Sequence, residues 1–169
     1  GKTGLAVKIS QLIASRGVGV GVVSLEDPPE TLFGRIVTEQ SGFRLSEAGP
    51  ETHPERAREV EAVFDWLEKL PIQTTEQGRQ SIRRILAIMD EMKANGAECI
   101  WIDNSNEVQL SKSEERNVAI DETLSDLREW AVRNQTPVAF VTHLNRDAKR
   151  IETEPIRRSD FAHSVGFER

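Results

Sequence analysis

The chain has 169 residues, of which 37% are hydrophobic and 30% charged, and its formal net charge is −6. Length and composition predict one soluble globular domain, while the acidic balance argues against a general nucleic-acid binder. No run reaches the ~20 apolar residues of a membrane span, no secretory signal opens the chain, and a single cysteine, Cys99, excludes an internal disulfide.

The first part of the chain alternates predicted helices with one strand. A helical pattern follows the opening Gly-Lys-Thr and ends at Gly17. Its expected buried face consists of Leu5, Ile9, Leu12 and Ile13. Residues 18–25 are apolar and rich in valine, which predicts a buried strand. Pro28-Pro29 stops that strand and begins a second helix, which runs to about Gln40.

Helices and strands continue to alternate after a predicted loop over residues 43–53. The remaining elements are a helix from Pro54, a short strand near 71–74, a helix that stops at Asn95-Gly96, a strand over 98–103, a helix over about 114–134 and a strand from Pro137 to Thr142. The apolar positions expected to be buried on these helices are Ala57, Val60, Phe64, Leu67 and Leu70, then Ile82, Ile85, Leu86, Met89 and Met92, and then Ile120, Leu124, Leu127 and Ala131. Such alternation needs crossover connections, so the predicted fold class is α/β, with a mainly parallel sheet and helices on both faces.

Polar side chains directly follow three of the predicted strands. They are Glu26-Asp27, Asp103-Asn104 and Thr142-His143. In a parallel sheet, ligands gather at the carboxyl ends of the strands. We therefore expect these residues to surround a binding site, next to the Gly-Lys-Thr that precedes the first helix.

The opening residues Gly1, Lys2 and Thr3 match the end of the phosphate-binding motif Gly-x-x-x-x-Gly-Lys-[Ser/Thr]. In that motif, backbone amides and a helix N-terminus bind phosphates, the lysine reaches the β- and γ-phosphates, and the hydroxyl binds Mg²⁺. Asp103 suits the second carboxylate that orients Mg²⁺ in such sites. The sequence therefore predicts a site for ATP and Mg²⁺.

The catalytic base has two candidate positions. Many ATPases place a glutamate directly after the metal-orienting aspartate, but this chain has Asn104 there. Glu26, at the end of the neighbouring strand, is the alternative base that would orient a water molecule. His143 is a candidate sensor of the γ-phosphate, and its alternative interpretation is a solvated loop histidine.

Four segments resemble the DnaB-type hexameric replicative DNA helicases, in order and spacing from Lys2 to Glu168. Ser24-Leu25-Glu26 with Asp27-Pro28-Pro29-Glu30 and Leu32 is similar to their Ser-Leu-Glu-x-Pro-x-Glu-x-Leu segment. Ile100-Trp101-Ile102-Asp103 resembles their Walker B strand. Thr142-His143-Leu144-Asn145-Arg146 resembles their Ser-Gln-Leu-Asn-Arg. Pro155 and Arg158-Ser159-Asp160-Phe161, then Ser164 and Glu168, resemble their Pro-x-x-Ser-Asp-Leu-Arg-x-Ser-Gly-x-Ile-Glu-Gln stretch.

The resemblance implies that residues 1–169 are part of a RecA-like P-loop NTPase domain, truncated at both ends. It implies an ATP-driven motor that works as a ring-shaped homo-hexamer, translocates on single-stranded DNA and unwinds forked duplex during replication. A primase or helicase loader is an expected partner, and the cytoplasm of a bacterial or phage-infected cell is the expected location. At the position of His143 the bacterial enzymes carry glutamine and the phage primase-helicases carry histidine, so the chain resembles the phage type there. Without its central strand, the isolated fragment is expected to be unstable and to hydrolyse ATP poorly.

The resemblance also implies a DNA-facing segment after residue 144. The residues expected to contact DNA are Asn145, Arg146, Lys149, Arg150, Arg157 and Arg158. Acidic residues nearly balance these positive charges, and Ala162 and His163 depart from the family pattern. A solvated surface is therefore the alternative interpretation of this segment.

Two other functions fit parts of the same pattern. The first is a RecA-like ATPase of recombination or plasmid replication. An assay of forked-duplex unwinding would distinguish it from a helicase. The second is a regulatory module that binds nucleotide without hydrolysing it. The presence of a full set of candidate catalytic residues argues against this module: Lys2, Glu26, Asp103 and His143.

Overall fold

The computed structural model describes residues 2–44, 46, 49, 51, 53–75, 78–103, 108–109 and 116–141. Its helices are α1 (Lys2–Ala14), α2 (Pro29–Ser41), α3 (Pro54–Leu67), α4 (Ile82–Ala94) and α5 (Arg116–Asn134). Its strands are β1 (Val20–Ser24), β2 (Ile72–Thr74), β3 (Gln80–Ser81), β4 (Cys99–Asp103), β5 (Val108–Gln109) and β6 (Val138–Val141). Within these residues, no helix is both long enough and apolar enough to cross a membrane.

Four of the described strands form one parallel sheet in the order β2-β1-β4-β6. The last residues of its central strands are in register, since Ser24 pairs with Asp103 and Asp103 pairs with Val141. This arrangement confirms the predicted α/β fold class with a parallel sheet. A separate parallel pair joins β3 to β5, and neither strand was predicted because two residues are too few to show an alternating pattern.

Helices cover both faces of the sheet. Val20 and Val22 of β1 pack on the side of α1, α2 and α3, together with partly buried Trp101. We call this side the α1 face. Side chains alternate along a strand, so Val23 of β1 and Ile102 of β4 point to the opposite side, where α4 and α5 cover them.

Two glycines allow close approach around β1. A Cβ atom on Gly19 would lie 2.0 Å from the carbonyl oxygen of Gly96, in the turn that leads from α4 into β4. A Cβ atom on Gly21 would lie 2.7 Å from the sulfur of Met92 on α4. The Val-Gly-Val-Gly alternation at the start of this strand therefore reflects packing against α4 and the turn after it.

The predicted buried face of α1 is wrong at Leu5 and Leu12, while Ile13 packs against the core as expected. Leu5 is 62% exposed and Leu12 is 57% exposed, whereas Ala6, Val7 and Ala14 are buried. The helix contacts α2, β1, β2 and β6, so it lies directly across the sheet. A helix that crosses strands closely buries its small residues, and periodicity weighted by leucine and isoleucine selected the wrong stripe.

The other helix faces agree better with prediction. On α4, Ile85, Met89 and Met92 are buried as expected, and Ile82 and Leu86 are partly buried against the same core. On the remaining helices, Val60, Leu67 and Leu127 are buried, but Phe64 is an exposed residue.

Candidate functional site

Asp103 and Thr3 meet at the carboxyl end of the sheet. Asp103 ends β4 and is only 4% exposed. Because Trp101 packs on the α1 face, strand alternation directs Asp103 to that face as well. Thr3 lies in the first turn of α1, and its hydroxyl donates a hydrogen bond to the Asp103 carboxylate. The fold therefore joins the two residues that the sequence predicted as Mg²⁺ ligands.

Burial and two neighbouring carboxylates act on the Asp103 side chain. Burial raises the pKa of Asp103 above its ordinary value, and the negative charges of Glu26 and Asp27 raise it further. The hydrogen bond from Thr3 and the positive charge of Arg35 lower the pKa and oppose this effect only in part. A bound cation would favour the ionised carboxylate, because it would supply the missing positive charge.

The segment after β1 carries Glu26 past the sheet edge. Leu25 donates its backbone N–H to the carbonyl oxygen of Asp103 over 2.6 Å, which ties the start of the segment to β4. Ser24 donates its hydroxyl to the carbonyl oxygen of Asp27, which closes a tight turn. Glu26 is exposed, and its charge acts on Asp103. An exposed carboxylate thus lies near a buried one.

An ion pair fixes the other end of the same segment. Arg35 of α2 contacts the Asp27 carboxylate with 2.7 Å between the guanidinium nitrogen and the carboxylate oxygen. The sequence prediction did not identify this pair. The helical spacing rule of three or four residues does not apply to it, because Asp27 precedes the helix that carries Arg35.

The predicted site residues are only partly described by the structure. Thr3, Glu26 and Asp103 are brought together at one end of the sheet. The backbone of Lys2 opens α1, and its side chain lies outside the described part of the chain. The candidates that lie wholly outside it are Gly1, His143, Asn145, Arg146, Lys149, Arg150, Arg157 and Arg158.

The donor set suits a cation that needs few protein ligands. Among the described residues, no group of three or more His, Cys, Asp or Glu side chains is placed to hold a metal ion. Mg²⁺ in nucleotide sites usually takes one or two protein ligands and completes its shell with phosphates and water. The Thr3 hydroxyl and the Asp103 carboxylate fit this requirement.

Cys99 does not resemble a reactive thiol. It is partly buried at the start of β4. Burial raises the pKa of this thiol, and the negative charge of Glu98 adds to the effect. The thiol is therefore protonated at neutral pH, and Cys99 packs against the core on the α1 face.

Two solved structures share this fold. One, described as an ATPase domain, has a TM-score of 0.87 and 18% sequence identity, over 98% of this chain and 61% of that chain. The other, described as a DnaB-like replicative helicase and its interactions with primase, has a TM-score of 0.85 and 18% identity, over 98% of this chain and 41% of that one. This chain thus spans less than two thirds of either solved chain. A comparison with curated protein sequences found no significant match.

The sequence matches one protein family along its whole length. The family is described as the DnaB-like helicase C-terminal domain, and the match covers residues 1–169. It agrees with the parallel sheet and with the segments that suggested this resemblance in the sequence. The chain belongs to the DnaB-like helicase C-terminal domain family.

Proposed function

We propose that this chain is the ATP-hydrolysing motor domain of a replicative DNA helicase. The observation that carries the proposal is the meeting of Thr3, Asp103 and Glu26 at one end of the parallel sheet. Family membership supports the same conclusion independently of this geometry. The motor hydrolyses ATP to translocate on single-stranded DNA and to unwind duplex.

The first turn of α1 holds the phosphates in this proposal. Backbone amides at the helix N-terminus and the Lys2 side chain bind phosphate oxygens, and Gly1 allows the chain to approach them closely. Thr3 and Asp103 hold Mg²⁺, which neutralises phosphate charge when it is bound. The burial of Asp103 and the negative charges of Glu26 and Asp27 support this assignment, because a cation bound there would favour the ionised carboxylate.

Glu26 is the proposed general base. A water molecule oriented by its carboxylate attacks the γ-phosphorus, the bond from phosphorus to the ADP oxygen breaks, and Glu26 accepts the proton. Exposure of Glu26 beside buried Asp103 supports this division of roles, since the base needs access to water. His143, which follows β6 by two residues in the sequence, is proposed to sense the γ-phosphate.

DNA binding and assembly are also proposals. The proposed DNA contacts are Asn145, Arg146, Lys149, Arg150, Arg157 and Arg158. The domain works in a ring-shaped homo-hexamer in the cytoplasm, with a primase or a helicase loader as partner. One solved structure of the same fold is described together with its primase interactions, which supports a primase as the partner.

The decisive experiment compares ATP turnover of the full-length protein with and without single-stranded DNA, and with forked duplex. We expect DNA to stimulate turnover and ATP to drive unwinding. Glu26→Gln is expected to bind ATP normally and to lose about 10²–10⁴-fold in turnover, the usual contribution of general base catalysis. The matched control is Glu39→Gln, which makes the same chemical change on the α2 surface.

The outcomes separate the candidate functions. Undiminished turnover in Glu26→Gln would refute the assignment of the base. DNA-stimulated turnover without unwinding would favour the recombination or plasmid-replication ATPase. ATP binding without turnover in the unmutated protein would favour the regulatory module.

A further inference from the structure

The segment of residues 25–28, which we call the Glu26 loop, is held at two points around Glu26. On one side, the backbone N–H of Leu25 donates to the carbonyl oxygen of Asp103. On the other side, Asp27 is bound through its carbonyl oxygen by Ser24 and through its carboxylate by Arg35. The contacts of Asp27 therefore help to fix the backbone from which the Glu26 side chain extends.

Arg35 is well placed to provide a rigid anchor. It lies on α2, whose inner side is fixed by the buried residues Leu32, Ile36 and Val37. Because Arg35 directly precedes two of these core residues, its backbone position is tied to the sheet. Its side chain reaches back past the start of the helix to the Asp27 carboxylate, 2.7 Å away.

The pair also has an electrostatic effect on the site. The negative charges of Asp27 and Glu26 both act on Asp103. Arg35 neutralises the charge of Asp27 through direct contact. Without Arg35, Asp27 would add an uncompensated negative charge beside Glu26, and the two would repel each other.

We propose that Arg35 is a positioning residue for ATP hydrolysis, which acts through Asp27 to hold Glu26 in its working orientation. The proposal rests on the proposed role of Glu26 as the general base. Arg35 itself touches neither the nucleotide nor the attacking water in this proposal. Its effect on the orientation of Glu26 passes through the Arg35–Asp27 contact.

The exposure of the pair makes this proposal testable. The side chain of Arg35 is 45% exposed and that of Asp27 is 22% exposed. Ion pairs that remain accessible to water contribute little to global stability, so loss of this pair should lower the melting temperature only slightly. Misplacement of a catalytic group by about 1 Å costs up to about 10²-fold in rate, so the same loss should be evident in kcat.

The test is a double-mutant cycle in the full-length protein. The variants are Arg35→Ala, Asp27→Ala and the double variant, with Arg35→Lys as the conservative replacement. The measurements are kcat, KM for Mg-ATP, binding of a fluorescent ATP analogue and the melting temperature. Glu39→Gln is the matched control, since Glu39 lies on the same helix as Arg35 and the change weakens its ion pair with Lys8 of α1 without touching the Glu26 loop.

We expect Arg35→Ala to lower kcat about tenfold, with KM and analogue affinity nearly unchanged. Asp27→Ala should show a similar loss, and the double variant should be no slower than either single variant. Arg35→Lys should recover most of the rate, because it restores the charge opposite Asp27. Glu39→Gln should match the unmutated protein.

Three results would overturn the proposal. They are an unchanged kcat in Arg35→Ala, losses that multiply in the double variant, and a loss confined to KM. If Arg35→Ala melts at a much lower temperature, Asp27→Ala on the loop carries the test instead. Full turnover in Glu26→Gln would refute the proposed base itself, whereas loss of turnover there with normal Arg35→Ala would refute only the role of Arg35.

Discussion

Replacement of Thr3 by valine should destabilise the nucleotide-free protein. Valine has nearly the same shape as threonine, so the change removes the hydroxyl that donates to Asp103 and little else. Asp103 is 4% exposed, so water cannot readily replace the lost donor. Hydrogen bonds to charged groups contribute about 1.5–3 kcal/mol, and we expect a loss in the free energy of unfolding of that size.

The effect of this substitution should depend on pH with a definite sign. The Thr3 hydrogen bond lowers the pKa of Asp103, so its removal raises that pKa further. A carboxyl group whose pKa is higher in the folded state than in the unfolded state costs stability at pH values above its folded pKa. The cost disappears as the pH falls and Asp103 becomes protonated in both states. Thr3→Val should therefore lose more stability at neutral pH than in mild acid.

Thermal unfolding followed by tryptophan fluorescence would measure this loss. Trp130 is 1% exposed, so its emission should shift when the core opens. For a domain of this size, each kcal/mol lowers the melting temperature by about 2–4 °C, which predicts a decrease of about 3–12 °C. Thr3→Ser keeps the hydroxyl and is the matched control. The reasoning would be refuted if Thr3→Val and Thr3→Ser had the same melting temperature at neutral pH. It would also be refuted if Thr3→Val lost the same stability at neutral pH and in mild acid.

Two further predictions concern neighbouring parts of the fold. Asp103→Asn should abolish most ATP turnover yet stabilise the nucleotide-free protein at neutral pH, because the raised pKa of Asp103 costs stability that returns only as the pH falls. Urea unfolding at neutral and acidic pH would measure the free energy of unfolding, and a variant less stable than the unmutated protein at neutral pH would contradict this prediction. Gly21→Ala should destabilise the protein by about 1–3 kcal/mol through overpacking against the sulfur of Met92, which lies 2.7 Å from the added Cβ. In urea unfolding, the loss in the double variant with Met92→Ala should be smaller than the sum of the two single losses, and fully additive losses would contradict this explanation.

The strands and the end of the sheet that carries the candidate site were predictable from the sequence. Continuous apolar runs marked β1, β4 and β6, because strands buried on both faces have little room for polar residues. The first polar residue after such a run must lie at the carboxyl edge. That rule placed Asp103 and Glu26 correctly at one end of the sheet without any knowledge of the tertiary contacts.

The α1 surface and the Arg35 contact were not predictable in the same way. Leu5 and Leu12 share a helical stripe, and only the close crossing of α1 over the sheet explains why the stripe of small residues is buried instead. Arg35 lies eight positions after Asp27, a spacing that has no local rule when a turn lies between the two residues. Both features depend on how helices and strands pack against one another, which local sequence periodicity does not determine.

The geometry of β1 and β4 explains how two carboxylates acquire different environments. Ser24 and Asp103 are paired, so both strands end at the same level on the α1 face. Asp103 therefore lies beneath the start of α1 and is buried, whereas the β1 chain continues two residues further before it presents Glu26 to solvent. A buried carboxylate with a raised pKa suits a bound cation, and an exposed one suits proton transfer with water. The proposed division of roles thus follows from the two-residue extension of β1, and an inserted residue in the Glu26 loop should abolish turnover while it preserves nucleotide binding.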